Sequence, residues 1–357
     1  MAKMIMIGPS LAGLGGISRV LSIWRDGGIF SENDISYVSS VSARPARRIF
    51  SFVLNFSKYL RLLLTAADTV YVHSAANNSF WRKSFFLVFA MMFKKKIVLH
   101  IHPSHFYDFI MSLKGFPRRF AFYLLNRLTA LIVLSDEMRD RFSALFKNKP
   151  IYVLRNPVDM KSLSNIEGTP REQNRILFLG WYVPEKGIYE LADAVALLIR
   201  QGLECSLDLY GTKQRQALEK YVNSLKVGDK IRVHGWISGT EKVNALYRSA
   251  ILALPSYREG MPNVVLEAMA TKLPLVATPV GALKEILTDG VNSLICQPRD
   301  AAGLASRLRQ LLEDDRLRQT LAERAFADVK ANYDIQVIRS RFRELMKSLK
   351  EGRQTGA

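Results

Sequence analysis

The sequence predicts an α/β protein built as two consecutive doubly wound domains. Three observations lead there. The chain has 357 residues, more than one ordinary domain holds; short apolar runs alternate with longer stretches of helical period; and the alternation breaks once near the middle and then restarts. Hydrophobic residues make up 48% and charged residues 23%, the balance of a globular chain and not of a disordered or fibrous one.

In the first half, KMIMIG (3–8), TVYVHS (69–74), KIVLHIH (96–102) and ALIVLS (130–135) are short, bounded apolar runs of the kind that buried parallel strands show, with helical segments between them. PIYVLRNPVD (150–159) and the polar MKSLSNIEGTPREQN (160–174) read as a linker. The second series is RILFLGW (175–181), CSLDLYG (205–211), IRVHGW (231–236), AILALPS (250–256) and LPLVATPVG (273–281). After its first member, Leu191, Ala194, Val195 and Leu198 recur at i, i+3, i+4 and i+7, the stripe of a helix facing a sheet. From residue 301 to 350 the chain reads as helix, and EGRQTGA as a frayed tail. The expected division is an N-terminal domain over 1–160, a C-terminal domain over 161–335, and a closing helix over 336–357 that returns to the first domain. In each domain the ligand-contacting loops belong at the carboxyl ends of the strands.

Charge is unevenly placed. Residues 1–150 hold 21 Lys and Arg against 8 Asp and Glu, whereas the remainder holds 30 against 24, so most of the net charge of +19 lies in the first half. A basic half implies polyanionic company, either nucleic acid or an anionic membrane surface. No nucleic-acid recognition motif accompanies the charge. The segments RPARRIFSFVLNFSKYLRLLL (44–64) and KGFPRRFAFYLLNRL (114–128) are amphipathic: Ile49, Val53, Phe56, Leu60 and Leu63 share one helical face, with Arg47, Lys58 and Arg61 on another. That favours a membrane interface over a crossover helix whose charges are merely solvated. The longest apolar block, FFLVFAMMF (85–93), is too short to span a bilayer, and MAKMIMIGPS lacks the h-region of a signal peptide. The expectation is a cytoplasmic protein, peripheral on the inner face of the cytoplasmic membrane. Cys205 and Cys296 lie in apolar runs outside any metal-ligand spacing and read as buried free thiols.

Three stretches could carry chemistry. In REGMPNVVLEAMA (258–270) the apolar pattern resumes at Val264, so Pro262 and Asn263 mark a helix start, whose backbone N–H groups could receive a phosphate. Gly260 allows close approach there, Glu259 precedes the helix, and Glu267 falls one turn in beside Asn263; two surface glutamates are the plainer reading. VLHIHPSHFYDF (98–109) puts His100 and His102 on one strand face, with His105 beyond it. A metal site, a structurally satisfied histidine and a ligand contact all fit, although no carboxylate completes a metal set. GPSLAGLGGISRV (8–20) is a glycine-rich turn from strand to helix without the dinucleotide spacing GxGxxG.

EGMPNVVLE resembles the Glu-x7-Glu motif of the retaining glycosyltransferases of family 4, among the group 1 glycosyl transferases, which have the GT-B fold of two Rossmann-like domains facing across a cleft. ILFLGWYVPEKGIYELADAVALL resembles that family's opening donor-domain segment, VHGWIS its nucleotide-base loop, and LPLVATPVGALKEILTDGVNSLICQPRD the strand and glycine turn that follow; the likeness is close over about 150–310. The resemblance implies a nucleoside diphosphate sugar as co-substrate, with Glu267 on the ribose, Glu259 on the transferred sugar, the backbone of Gly260, Met261, Pro262 and Asn263 along the diphosphate, and Lys186 on the leaving phosphate. It implies that Gly15 and Gly16 approach the donor phosphates or the acceptor, and that His102, with His73 as runner-up, bonds a sugar hydroxyl. Asp-x-Asp is absent from the sequence, and neither metal nor other cofactor is expected. Where the family often has arginine after the glycine of LG this chain has Trp181, and Arg155 and Arg258 are nearby candidates to replace that charge. With the basic first half, the expected acceptor is a lipid-linked saccharide of cell-surface polysaccharide assembly. A sugar-nucleotide epimerase on the same fold and a non-catalytic sugar-nucleotide-binding protein at the membrane are the competing readings.

Overall fold

The computed structural model describes residues 3–41, 48–65, 67–163 and 170–351. The chain forms two compact units, Met1–Pro157 with Ile335–Ala357, and Val158–Asp334.

The first unit carries a parallel six-stranded sheet of β1 (Lys3–Gly8), β2 (Ile35–Ser39), β3 (Ala67–Ser74), β4 (Lys96–Ile101), β5 (Ala130–Val133) and β6 (Ile151–Val153), in the order β2-β1-β3-β4-β5-β6. The chain reverses direction across the sheet between β1 and β3, which opens a crevice at their carboxyl ends. The strands named from sequence are the inner ones, whose two covered faces demand unbroken apolar runs. β2 and β6 lie at the edges with mostly half-buried residues, and so lack that signal; β6 falls in what reads as linker.

One face of this sheet is covered by the helices Arg48–Leu63, Asn78–Met92 and Gly115–Asn126, which share a core containing Tyr59, Leu63, Phe80, Phe86 and Leu124. The other is covered by the helices Gly16–Asp26 and Ile335–Glu351 around Trp24, Tyr71 and Phe342. These last two helices touch closely: a Cβ on Gly27 would meet Ile335 Cγ1 at 2.2 Å. Arg339 and Arg343 both pair with Glu32.

Of the apolar face expected on the helix Arg48–Leu63, Phe56, Leu60 and Leu63 pack on the core of the sheet and Val53 does not. Phe52 and Tyr59 also face inward, and Val53 is exposed. Aromatic packing decides this: Tyr59 buries its ring against Phe86, at 5.1 Å, while its hydroxyl donates to the Phe86 carbonyl at 2.7 Å. Lys58 donates to the Tyr37 carbonyl at 3.0 Å, so it is not a free surface cation. Arg47 and the side chain of Ile49 lie outside the described residues.

The second unit carries β7 (Glu172–Tyr182), β8 (Ser206–Lys213), β9 (Ile231–His234), β10 (Ser249–Leu254), β11 (Leu275–Ala277) and β12 (Leu294–Ile295), parallel and in the order β12-β11-β10-β7-β8-β9. Its direction reverses between β7 and β10. Leu191, Ala194, Val195 and Leu198 of the helix Ile188–Arg200 are all buried, on the stripe expected. Asp300 and Asp314 cap the helices Ala301–Glu313 and Asp315–Asn332 by accepting from Gly303 N and Leu317 N, each at 2.8 Å. Cys205 and Cys296 are buried, and burial pushes their thiols up to about 11 and about 12.

Candidate active site

The two loops that follow β7 and β10 meet at the crevice of the second unit, and glycine makes the meeting possible. Past β7, Pro184–Lys186 forms a single tight turn that ends on Gly187 at φ +65°, where a Cβ would lie 2.1 Å from the Pro255 carbonyl oxygen. Tyr257 N donates to Glu185 O at 2.8 Å. The turn therefore lies flat against the loop after β10, and Lys186 Nζ reaches Glu259 Oε1 at 2.6 Å. Ser256 Oγ donates to the same oxygen at 2.7 Å. From behind, Gly281 at φ +55° approaches so closely that a Cβ there would sit 1.9 Å from the Glu259 carbonyl oxygen; Ala282 N donates to Gly260 O at 3.0 Å.

Glu259 is 7% exposed and Glu267 2% exposed, so neither is a surface glutamate. A buried carboxylate needs a cationic or hydrogen-bonding partner, and both have a lysine. Glu267 pairs with Lys242 of the helix Gly239–Arg248. Glu267 lies in the helix Asn263–Ala270, which begins where the sequence places it, with Pro262 at its cap and no side chain capping it. Met261 is buried; Gly260, Pro262 and Asn263 are partly exposed around that helix end.

At the end of β7, Trp181 is 40% exposed and Lys213 Nζ stands 3.5 Å from its ring centre. Lys213, at the end of β8, is the cation found at this position. Arg155, in the first unit, is bound to Asp136 at 2.7 Å, and Arg258 is exposed without contact to the Trp181 ring. In the loop after β9, His234 stacks on Tyr210 at 4.3 Å and bonds Asp208 at 2.7 Å, while Trp236 is 38% exposed.

In the first unit, β3 and β4 bring His73, His100 and His102 together, with ring nitrogens within 4.8 Å of one another. His73 and His100 are direct partners in the strand register. His73 Nδ1 and His102 Nε2 share a hydrogen bond of 2.9 Å, the Tyr71 hydroxyl lies 3.0 Å from His100 Nδ1, and His100 stacks on His102 at 4.4 Å and 25°. By distance alone the three rings could hold a metal ion, although the 2.9 Å bond between His73 Nδ1 and His102 Nε2 engages two of their nitrogens with each other. Burial pushes His100 down to about 3 and holds His73 and His102 well below the usual histidine range, helped by His100 and by nearby Lys83. All three are neutral near pH 7.

Past β1, Gly15 precedes the helix Gly16–Asp26 without a side-chain cap, and a Cβ on Gly15 would meet nothing within 4 Å. Packing does not require glycine there, which leaves room for something approaching from outside the chain.

Sequence reasoning singled out neither Ser256, Lys242 nor Lys213, whose relevance arises from tertiary contact alone. Lys83 was legible. It occupies the apolar stripe of its helix with Phe80, Leu87 and Ala90, and is 1% exposed. Its Nζ donates to Ser79 Oγ at 2.8 Å and has no carboxylate partner among the described residues. Burial, then Arg82, pushes its ammonium down to about 7.

Three of the helices on that side of the first sheet leave Phe50, Val53, Leu54, Phe85, Met92 and Phe116 exposed. Lys94, Lys96, Lys114, Arg118 and Arg119 are exposed around them. Among the described residues no helix is long and apolar enough to cross a membrane.

Residues 159–328 match the family model "Glycosyl transferases group 1". An uncharacterized glycosyltransferase of Methanocaldococcus jannaschii is 31% identical over 240 residues, which span 66% of this chain and 64% of that protein, less than two thirds of its length. The lipopolysaccharide core biosynthesis glycosyltransferase LpsE of Rhizobium meliloti is 28% identical over 247 residues, 67% of this chain and 69% of that one. In structure, Anabaena HepE in complex with UDP-glucose superposes with a TM-score of 0.75 at 18% identity, covering 98% of this chain and 100% of the other, a likeness of fold. Residues 159–328 of the chain are thus similar to the group 1 glycosyltransferases, and the chain has the GT-B fold.

Proposed function

We propose that the protein transfers a sugar from a nucleoside diphosphate sugar to an acceptor hydroxyl, with retention at the anomeric carbon and without a bound metal ion. The observation that carries this is the convergence of Lys186, Ser256 and Glu259 at the carboxyl ends of β7 and β10, next to the open helix end at Asn263. A diphosphate takes the backbone from Gly260 to Asn263 and draws the Lys186 ammonium toward the leaving oxygen. Glu259 then faces sugar hydroxyls and Glu267 the ribose hydroxyls. The acceptor oxygen bonds to the anomeric carbon on the face from which the phosphate oxygen departs. Its proton passes to that phosphate oxygen, since none of the matched carboxylates is assigned as nucleophile. His102 hydrogen-bonds the transferred sugar, and Gly15 and Gly16 admit the donor phosphates or the acceptor.

The acceptor is a lipid-linked saccharide of cell-surface polysaccharide assembly, reached from an anionic membrane surface. The exposed aromatic and aliphatic side chains ringed by lysine and arginine on the first unit support this, as does the lipopolysaccharide role named for the Rhizobium relative.

The test is a screen of UDP-, GDP- and ADP-sugars, UDP-glucose first, for slow hydrolysis and for transfer to lipid extracts. Lys186→Ala is expected to lower kcat by roughly 10²–10³, the usual cost of losing one group that stabilises transition-state charge, and Glu259→Ala to impair turnover as well. Turnover unchanged by both substitutions would remove the site assignment. Isomerised donor without any transfer would indicate an epimerase, and binding without turnover a sugar-nucleotide-binding protein.

A further inference from the structure

His73 is a core histidine that touches no surface, yet it holds one end of His102. We infer that His73 is a positioning residue that fixes the tautomer of His102, so that His102 presents an Nδ1–H donor and does not serve as a base. The functional half of this inference rests on the glycosyltransferase reading; the tautomer itself does not.

Both rings are neutral, so each carries one N–H, and the 2.9 Å contact between His73 Nδ1 and His102 Nε2 contains one proton. Two arrangements satisfy that contact. If His102 donated from Nε2, His73 would have to carry its own proton on Nε2. That atom is buried and has no hydrogen-bond partner, so an N–H group would be orphaned in the core. If His73 donates from Nδ1, its Nε2 keeps only a lone pair, and an unsatisfied acceptor is the more tolerated defect. His102 Nε2 then accepts, and the His102 proton must reside on Nδ1.

The surroundings hold this arrangement in place. Trp24 packs edge-on against His73 at 5.1 Å, and His100 lies tilted at 5.0 Å from His73 and stacks at 4.4 Å on His102, so neither ring can turn over freely. The groups facing the pair are His100, with Tyr71 on its Nδ1, and the Lys83 ammonium; none is an acid that would charge an imidazole. In the transfer reaction His102 therefore donates a hydrogen bond to a sugar oxygen. The acceptor proton goes elsewhere, in accord with its passage to the departing phosphate.

The test begins with long-range 1H–15N correlation of the imidazoles in the full-length labelled protein at pH 7.5. Nδ1–H tautomers for both His73 and His102 are expected. An Nε2–H tautomer or an imidazolium at His102 would overturn the inference, whatever the protein's activity. Two variants follow. His73→Asn keeps an N–H near the Nδ1 position, and His73→Leu removes it. The leucine variant is expected to lose about ten-fold in kcat, the order of one neutral hydrogen bond, with KM for the donor unchanged and the His102 tautomer no longer uniform. The asparagine variant should recover most of kcat. Equal losses in the two variants, or an unaltered His102 tautomer in the leucine variant, would assign His73 a packing role only. If the wild-type chain shows no transferase activity, the proposed function fails, and the tautomer measurement still decides the inference.

Discussion

Lys83 offers a direct measure of how the first unit is built. A folded-state ammonium at about 7, against an ordinary 10.5, means that burial, with the nearby Arg82 charge, opposes the charged form by about 5 kcal/mol in all. Because the folded value is the lower one, the unfolded chain binds more protons between those limits, and stability rises with pH across that window. The penalty is full below about pH 7 and vanishes above about 10.5. Between pH 7 and pH 9 the relief amounts to about 2 kcal/mol, from the same linkage relation. Cys205 and Cys296 act oppositely: their raised values remove stability as pH climbs past the ordinary thiol value of 9. The informative quantity is therefore the difference between wild type and Lys83→Met, which share the thiols. The assay is denaturant unfolding followed by near-ultraviolet circular dichroism at pH 6.5, 7.5 and 8.5. Lys83→Met should be the more stable protein at pH 6.5, with the advantage shrinking steadily toward pH 8.5. A variant less stable than wild type at pH 6.5, or a gap that does not change with pH, would refute the claim that the lysine is buried without a counter-charge.

Further outcomes follow from the same contacts. Gly281→Ala forces a residue at φ +55° whose Cβ meets the Glu259 carbonyl at 1.9 Å, and should cost about 2 kcal/mol or more; thermal melts read the loss, and donor binding should weaken with it. Acid should unfold the first unit early. His100 sits at about 3 and its two neighbours are also lowered, so stability complete above pH 6.5 is lost as pH falls toward 3, which a melt series at pH 7 to 4 would follow. Co-flotation with anionic vesicles should fall on Phe116→Glu and with added salt; indifference to both would exclude the membrane face.

How much of this was readable beforehand depended on what kind of contact carried the information. Inner strands such as β4 and β10 are covered on both faces, and their apolar runs announce them. β2, β6 and β12 are half-covered edges and do not. The helix start at Asn263 and the stripe from Leu191 to Leu198 are local patterns, visible in order along the chain. The face of the helix Arg48–Leu63 was only partly legible: Phe56, Leu60 and Leu63 turn inward as a face, but Phe52 and Tyr59 join them through ring packing around Phe86, which depends on a second helix. The two glutamates were locatable; their burial and their lysines were not, because Lys186 and Lys242 stand 73 and 25 positions away in sequence from their partners.

In the reaction proposed above, the Lys186–Glu259 contact would also make the pocket discriminating. A diphosphate that draws the lysine to itself strips Glu259 of its counter-charge, leaving a 7% exposed carboxylate with Ser256 alone. A ligand that also carries sugar hydroxyls compensates that loss, and a bare nucleoside diphosphate does not. The same pair of side chains would then favour loaded donor over spent product, so that release after each turnover is helped by the lysine falling back onto its own glutamate.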